Sequence, residues 1–231
     1  MGNLMTYYYD KLGDVGKDAY KKLYEGYKNY ATVINLPAIS NIWNVHYAVK
    51  DDHPELFYVN WQSCQLVVGA NYTFDLFPNY IEDRDTCRQM LGRMRSIAHG
   101  LKGDDDIHTM RRVNDYLGHI VLYDPRVADT PKGQEPFYLR EDHNVIGPLI
   151  NHMGVCEGIA RAAQLLLREL DVECTYMTSY VNEDSSDKYG LHAWTLVKYQ
   201  GQEVKMDATW DVSKTTDCNY KYFCVDPKYW G

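Results

Sequence analysis

Apolar residues recur along this chain at two spacings, which predict where helices and strands lie. Intervals of three and four residues are typical of the buried face of a helix, and alternate positions are typical of a strand. Helical spacing occurs at residues 18–31, 39–49, 83–101 and 107–120. Strand-like runs occur at residues 56–61, 65–69 and 72–77, and the polar stretch 126–141 predicts a surface loop.

A fifth helix is predicted at residues 156–170. Ile159, Ala163 and Leu166 lie on one face, and further apolar residues lie between them, which indicates a largely buried helix. Cys156 stands at its start, directly after Gly154 and Val155. Backbone N–H groups and the positive end of the helix dipole collect there. They favour a thiolate over a thiol and offer donors to an oxyanion.

A hairpin is predicted after this helix. Its strands are residues 191–199 and 203–210, separated by the turn signal Gln200-Gly201-Gln202. An even-length loop puts His192 and Asp207 on the same face, directly opposite or diagonal to each other, within reach of a hydrogen bond. The other face is mainly apolar, which supports the pairing; its members are Ala193, Thr195, Val197, Val204, Met206 and Ala208.

Together, Cys156, His192 and Asp207 have the chemistry of a nucleophilic triad. The thiol attacks, the imidazole takes and returns a proton, and the carboxylate orients the ring. If the carboxylate only orients, an amide could replace it. Each residue alone is explained more simply, as a core cysteine or a buried strand histidine; the combination favours catalysis.

The two tryptophans of the hairpin are predicted to differ in role. Trp194 shares the face of His192, so we expect it to form a wall of the acyl site. Trp210 falls on the opposite face by the same parity, so we expect it to pack in the core.

Three motifs in this order resemble the transglutaminase-like superfamily, in its bacterial transglutaminase-core branch. They are Gly-Val-Cys-Glu-Gly at residues 154–158, His-Ala-Trp at 192–194 and Asp-Ala-Thr-Trp-Asp at 207–211. The resemblance spans about residues 111–225, and more loosely Asp-His-Pro-Glu-Leu-Phe at 52–57. It implies an α+β papain-like core, in which the nucleophile helix packs on an antiparallel sheet. It also implies that Cys156, His192 and Asp207 are catalytic.

The activity implied by the resemblance is acyl transfer through a thioester. The acyl donor would be a glutamine side chain or a peptide bond of a protein, and the acceptor an amine or water, so the products are a crosslink, a deamidated side chain or a cleaved peptide. No cofactor or metal is needed. A cysteine peptidase with the same triad and a non-catalytic interaction module that retains the fold are the alternatives. Asn151 and His152 are candidates for a second oxyanion donor.

Composition and charge narrow the remaining classes of function. The chain has 231 residues, 45% of them hydrophobic, which is enough for a sizeable core, and we expect a mixed helix and strand extension at 1–104 packed on a catalytic core at 105–231. The net charge of −8, without a basic stripe, argues against nucleic-acid binding.

No apolar run is long enough to cross a bilayer, and residues 1–10 contain no apolar signal core. We therefore expect a soluble chain, cytoplasmic as the sequence stands, or secreted if a signal peptide has been removed. The six cysteines are too scattered for a disulfide scaffold, and no CxxC pair suggests zinc. Cys218 and Cys224 are expected to be core or free thiols.

Overall fold

The computed structural model describes residues 3–69, 73–128, 140–182, 189–212 and 220–225. The chain forms two compact units, Met1–Gly92 and Arg93–Gly231, and the division falls within one long helix. Most of the predicted loop 126–141, Cys218 and the C-terminal residues 226–231 lie outside the described residues.

The first unit combines helices with a small antiparallel sheet in the order β1-β3-β2. Its elements are a 3₁₀ turn (Leu4–Thr6), α1 (Tyr7–Asp10), α2 (Asp14–Lys28), β1 (Ile34–Pro37), α3 (Ile42–Asp52), a second 3₁₀ turn (Pro54–Leu56), β2 (Gln65–Val68), β3 (Thr73–Phe77) and the first part of α4 (Arg84–Gly100). The helices α2, α3 and α4 confirm the predicted helical runs to within a few residues.

The strand predicted at residues 56–61 is wrong. Pro54 starts a 3₁₀ turn, and only Val59 forms an isolated bridge, with Tyr80. Leu56, Phe57 and their neighbours are buried. The run is apolar because this compact turn is enclosed on all sides. A continuous apolar run does not distinguish that arrangement from a buried strand.

The first unit is organised around the buried carboxylate of Asp52. Its Oδ1 accepts the N–H of Tyr8 at 3.0 Å, while Oδ2 accepts the N–H of Tyr9 at 2.8 Å and the hydroxyl of Tyr20 at 2.9 Å. A buried carboxylate needs such donors, since unpaired it would be costly. The Asp-His-Pro-Glu-Leu-Phe motif therefore has a structural role here, joining α1, α2 and α3.

The second unit contains the helix that begins at Cys156 and a four-stranded antiparallel sheet in the order β6-β7-β8-β9. Its elements are the rest of α4, α5 (Asp106–Ile120), β4 (Leu122–Tyr123), α6 (Pro125–Ala128), a 3₁₀ turn (Glu141–His143), a π-helical turn (Gly147–Asn151), β5 (Met153–Gly154), α7 (Cys156–Arg168), β6 (Cys174–Asn182), β7 (Tyr189–Tyr199), β8 (Gln202–Met206), α8 (Ala208–Val212) and β9 (Phe223–Val225). Asp105 caps α5 by accepting the N–H of His108 at 2.9 Å.

The helix α7 packs on β6 and β7, and the predicted fold class is confirmed. The apolar face of the hairpin lies against it: Thr195 pairs with Met206 and Val197 with Val204, and all four side chains are buried. The Thr195 hydroxyl donates to the carbonyl of Ala160 in α7 at 3.2 Å, which satisfies a polar group inside this interface.

The helix α7 ends in a left-handed residue, Asp171, with φ 62°. The N–H of Val172 donates to the carbonyl of Leu167, and that of Asp171 to Arg168, which is the Schellman arrangement. Glycine is the usual residue at this position. Asp171 adopts the same conformation, so it completes the same turn.

The second hairpin strand is shorter than predicted. Gln200 (φ 49°) and Gly201 (φ 76°) form a two-residue turn in which both φ values are positive, as in a type I′ turn. The strand β8 then ends at Met206, and residues 208–212, predicted as strand up to 210, form the short helix α8. This correction changes the environment of the candidate histidine.

Candidate active site

Cys156 is the first residue of α7. The chain enters the helix from β5 through Val155, whose N–H donates to the carbonyl of Asp142 at 3.1 Å. The backbone of Gly158 passes so close to that carbonyl that a Cβ atom would collide with it. Cys156 is half-buried and packs against Ala160, Tyr176 and Ala193. The thiol is therefore at a helix start whose backbone path is fixed on both sides.

The side chains of His192 and Asp207 are buried and lie at ion-pair distance from each other. Nε2 of His192 lies 2.5 Å from Oδ2 of Asp207, and the two residues are 3% and 1% exposed. Thr195 pairs with Met206, so the register places Asp207 opposite Trp194, two residues from His192 along β7. This is the diagonal alternative that the hairpin parity left open.

The other ring nitrogen of His192 faces the thiol. Because Nε2 is engaged by Asp207, the hydrogen bond between His192 and Cys156 falls to Nδ1. Burial lowers the pKa of His192, but the hydrogen bonds with Asp207 and Cys156, and the charges of these two groups, outweigh it and raise the pKa to about 9. The structure thus brings the three predicted residues together around one imidazolium.

The second oxygen of Asp207 has a different task. Oδ1 accepts the N–H groups of Thr209 at 3.0 Å and Trp210 at 3.1 Å, which caps the first turn of α8. One carboxylate therefore holds the imidazole with Oδ2 and shapes the following helix with Oδ1.

Trp210 stacks directly on His192. The ring centroids are 4.1 Å apart with planes at 7°, whereas Trp194 is 6.3 Å from His192 at 28°. Trp210 is half-buried and Trp194 is buried. The prediction that Trp210 lies on the opposite, packed face is wrong, because the strand ends at Met206 and the turn of α8 brings the indole back over the imidazole.

The transglutaminase-like superfamily matches residues 95–210, just over half of the chain. The chain belongs to this superfamily. The match covers α7, both motif strands and the cap of α8.

Solved structures similar to this superfamily member include transglutaminase-like proteins. The crystal structure of a TGase has a TM-score of 0.47 and 11% identity to this chain, and the match covers 80% of this chain and 52% of the TGase chain. The periplasmic domain of TgpA from Pseudomonas aeruginosa has a TM-score of 0.38 and 13% identity, over 63% of this chain and 60% of that one. Its ethylmercury-bound form has a TM-score of 0.39 and 13% identity, over 78% and 72%. The chain thus spans about half the length of the TGase, and no curated protein matches it.

Three further residues of this transglutaminase-like chain were candidates for the site: Asn151, His152 and Trp194. The exposed Asn151 donates to Glu141 at 2.7 Å, and the exposed His152 has φ 58° and accepts the N–H of Leu122 through its carbonyl. The contacts seen for these two residues do not include the triad, so a second oxyanion role for either stays a prediction. Trp194 lines a small cavity that Asp207 also lines, while Lys205 Nζ lies 4.4 Å from its indole centroid.

A pair of buried aspartates, which sequence reasoning missed, lies beside the chain segment that enters α7 at Cys156. Asp124 and Asp142 share a hydrogen bond, while Arg126 Nη2 lies 2.5 Å from Asp124 Oδ2. Burial, together with the hydrogen bond to Asp124 and its charge, raises the pKa of Asp142 to about 6. Hydrogen bonds from Arg126 outweigh burial and lower the pKa of Asp124 to about 2. The N–H of Asp124 also donates to the carbonyl of Gly154 at 3.1 Å, so the pair is tied to the chain entering α7.

Glu157, the residue after Cys156, joins a second polar network that the sequence did not reveal. Oε1 accepts Arg161 Nε at 3.1 Å, and Oε2 lies 3.1 Å from His143 Nδ1. The guanidinium of Arg161, which is buried, lies 4.0 Å from the ring of Tyr176. The spacing of four between Glu157 and Arg161 was the available signal for this helical ion pair.

The part of the chain that the structure describes contains neither a metal-binding cluster nor a membrane-spanning helix. No group of three His, Cys, Asp or Glu side chains there is arranged to hold a metal ion. Within the same residues, none of the helices has the length and apolar character needed to cross a membrane.

Proposed function

We propose that this protein transfers acyl groups from carboxamide carbonyls of proteins through a thioester on Cys156. The observation that carries the proposal is one buried imidazole, His192, engaged at one nitrogen by Cys156 and at the other by Asp207. This arrangement has the roles of a nucleophile, a general acid–base and an orienting carboxylate.

The chemistry follows from these contacts. The Cys156 thiolate attacks the carbonyl carbon, and the C–S bond forms while the oxygen becomes an oxyanion. The Cys156 N–H, in the first turn of α7, is a donor suited to that oxyanion. His192 gives its proton to the departing nitrogen as the C–N bond breaks, and ammonia leaves from a glutamine side chain. An amine or water then gives a proton to His192, attacks the thioester and releases Cys156.

Burial of the His192–Asp207 pair supports catalysis over a purely binding role. A buried charged pair is not a stabilising choice for a core compared with well-packed apolar residues, and protein binding does not require it. Its alignment with a half-buried thiol is the arrangement that the proposed reaction needs.

The proposal is tested with a fluorescent primary amine and a glutamine-rich protein, followed by mass analysis of the products. Incorporation of the amine identifies transfer, conversion of glutamine to glutamate identifies deamidation, and new chain ends identify a peptidase. Cys156→Ala should abolish every product, while the matched control Cys224→Ala should not, since Cys224 is also half-buried but has no contact with the triad among its described interactions. Equal product from wild type and Cys156→Ala would refute the proposal.

A further inference from the structure

We propose that Trp210 is a positioning residue that fixes the plane of the His192 imidazole through the reaction; the inference rests on the proposed function. The indole covers the imidazole face at 4.1 Å with planes only 7° apart. A parallel contact of this kind stabilises an imidazolium and restricts rotation of the ring.

Trp210 is itself held in place at its backbone and at its ring. Its backbone N–H donates to Oδ1 of Asp207, the carboxylate that also binds His192. Tyr222 packs against it at 4.9 Å and 63°, and the N–H of Tyr222 donates to Oδ1 of Asp211 at 2.8 Å. Asp207 therefore positions the imidazole by a hydrogen bond and, at the same time, positions the ring that covers it.

The need for this contact arises when the thioester forms. In the free enzyme the imidazole is held at both nitrogens, by Cys156 and by Asp207. Once the sulfur is acylated, it no longer accepts a hydrogen bond as a thiolate, and the bond from Nε2 to Asp207 alone would act as a hinge. The face of Trp210 removes that freedom, so that Nδ1 stays directed at the leaving nitrogen and then at the incoming amine or water. A misplacement of this group would slow both steps without changing substrate affinity.

The test compares Trp210→Leu, which removes the aromatic face, with Trp210→Phe, which retains one. We expect Trp210→Leu to lower kcat about tenfold, with KM changed less than twofold. Trp210→Phe should recover most of that loss. Trp43→Leu is the matched control, because Trp43 also contacts a histidine, His46, but edge-on and in the first unit, so kcat should stay at the wild-type value.

A second readout does not depend on turnover. The proton between His192 Nε2 and Asp207 should give a downfield NMR resonance that disappears in His192→Gln. It should persist in Trp210→Phe and be lost to solvent exchange in Trp210→Leu. If acyl transfer itself is absent, this resonance still tests the positioning role by itself.

Specific outcomes would overturn the proposal. One is a wild-type kcat and an unchanged resonance in Trp210→Leu. Another is an equal loss of kcat in the Leu and Phe variants, which would assign the effect to volume and not to the aromatic face. Should Trp210→Leu fail to fold, Trp210→Met, flexible and without an aromatic ring, takes its place with the same expected results.

Discussion

Asp207 binds His192 with only one of its carboxylate oxygens. Oδ2 lies 2.5 Å from Nε2 of the imidazole, while Oδ1 accepts the N–H groups of Thr209 and Trp210. The carboxylate is 1% exposed, so these partners take the place of solvent. Both carboxylate oxygens accept hydrogen bonds here, and no other side chain of this length offers two acceptor oxygens.

The first prediction concerns Asp207→Asn. An amide has one acceptor oxygen, so it can cap α8 or accept from His192, but not both. Its NH₂ group must then face a donor N–H or select the wrong tautomer of the imidazole. We therefore expect Asp207→Asn to lose activity almost as severely as Asp207→Ala, on the order of 10³-fold or more in kcat. This replaces the expectation, drawn from the sequence, that an orienting carboxylate tolerates an amide.

The measurement is kcat for both variants beside that of Asp171→Asn. Asp171 is an exposed, left-handed residue whose conformation asparagine also adopts, so this control should keep wild-type activity. More than a tenth of the wild-type kcat in Asp207→Asn would show that Oδ1 and the charge of the carboxylate are not needed.

The second prediction concerns Trp194, whose side chain is 5% exposed. Removing a buried indole leaves a cavity, so Trp194→Ala should lower the free energy of unfolding by about 3–5 kcal/mol. Trp210→Ala should cost less, because Trp210 is half-buried. Urea unfolding followed by circular dichroism checks both values. A larger loss for Trp210→Ala than for Trp194→Ala would mean that the burial of the two rings is reversed.

The third prediction uses the raised pKa of Asp142, about 6. An acid whose folded pKa is raised keeps its proton in the folded state after the unfolded state has released it. Its contribution to stability therefore falls as pH rises from about 4 to about 6, and then stays constant. Asp142→Asn should remove this fall, because its NH₂ group can donate to Asp124 as the protonated acid does. The difference in unfolding free energy, variant minus wild type, should increase across this window.

Other groups titrate in the same range, so only the difference between the two proteins is informative. Burial raises the pKa of Asp211 to about 6 and lowers that of His46 to about 4, and both contributions are common to variant and wild type. The contribution of His192, whose pKa of about 9 is above its unfolded value, is present below about pH 6.5 and is lost towards pH 9, outside the window. A difference that is flat between pH 4 and 6 would mean that Asp142 is ionised throughout.

The sequence predicted what depends on local periodicity and parity. The helix α7 and the start at Cys156 follow from apolar spacing. His192 and Asp207 share a face because every even-length loop gives that result, so the site did not require the exact register. The end of β8 at Met206 was missed, because α8 has five residues, too few to show helical periodicity, and a capping Asp resembles a strand residue in the sequence. For the same reason, the sequence did not predict that Trp210 stacks on His192.

Contacts between segments that are distant along the chain could not be predicted from the sequence. The carbonyl of Asp142 accepts the N–H of Val155, and the N–H of Asp124 donates to Gly154, through backbone atoms that every residue carries. The carboxyl pair that these segments bring together is likewise a product of the fold. Contacts of this kind, which fix the chain around Cys156, become visible only in three dimensions.

The central claim is that His192 makes Cys156 the reactive nucleophile, and competitive alkylation at pH 6 tests it most directly. Cys224 is the internal reference, because it is also half-buried while burial raises the pKa of its thiol. Mass spectrometry after brief treatment with iodoacetamide gives the ratio of labelling at the two residues in one molecule. We predict at least a tenfold excess at Cys156 that is lost in His192→Ala, since the imidazolium that stabilises the thiolate is then absent. Equal labelling of Cys156 and Cys224 in the wild type, or an excess that persists in His192→Ala, would contradict the account.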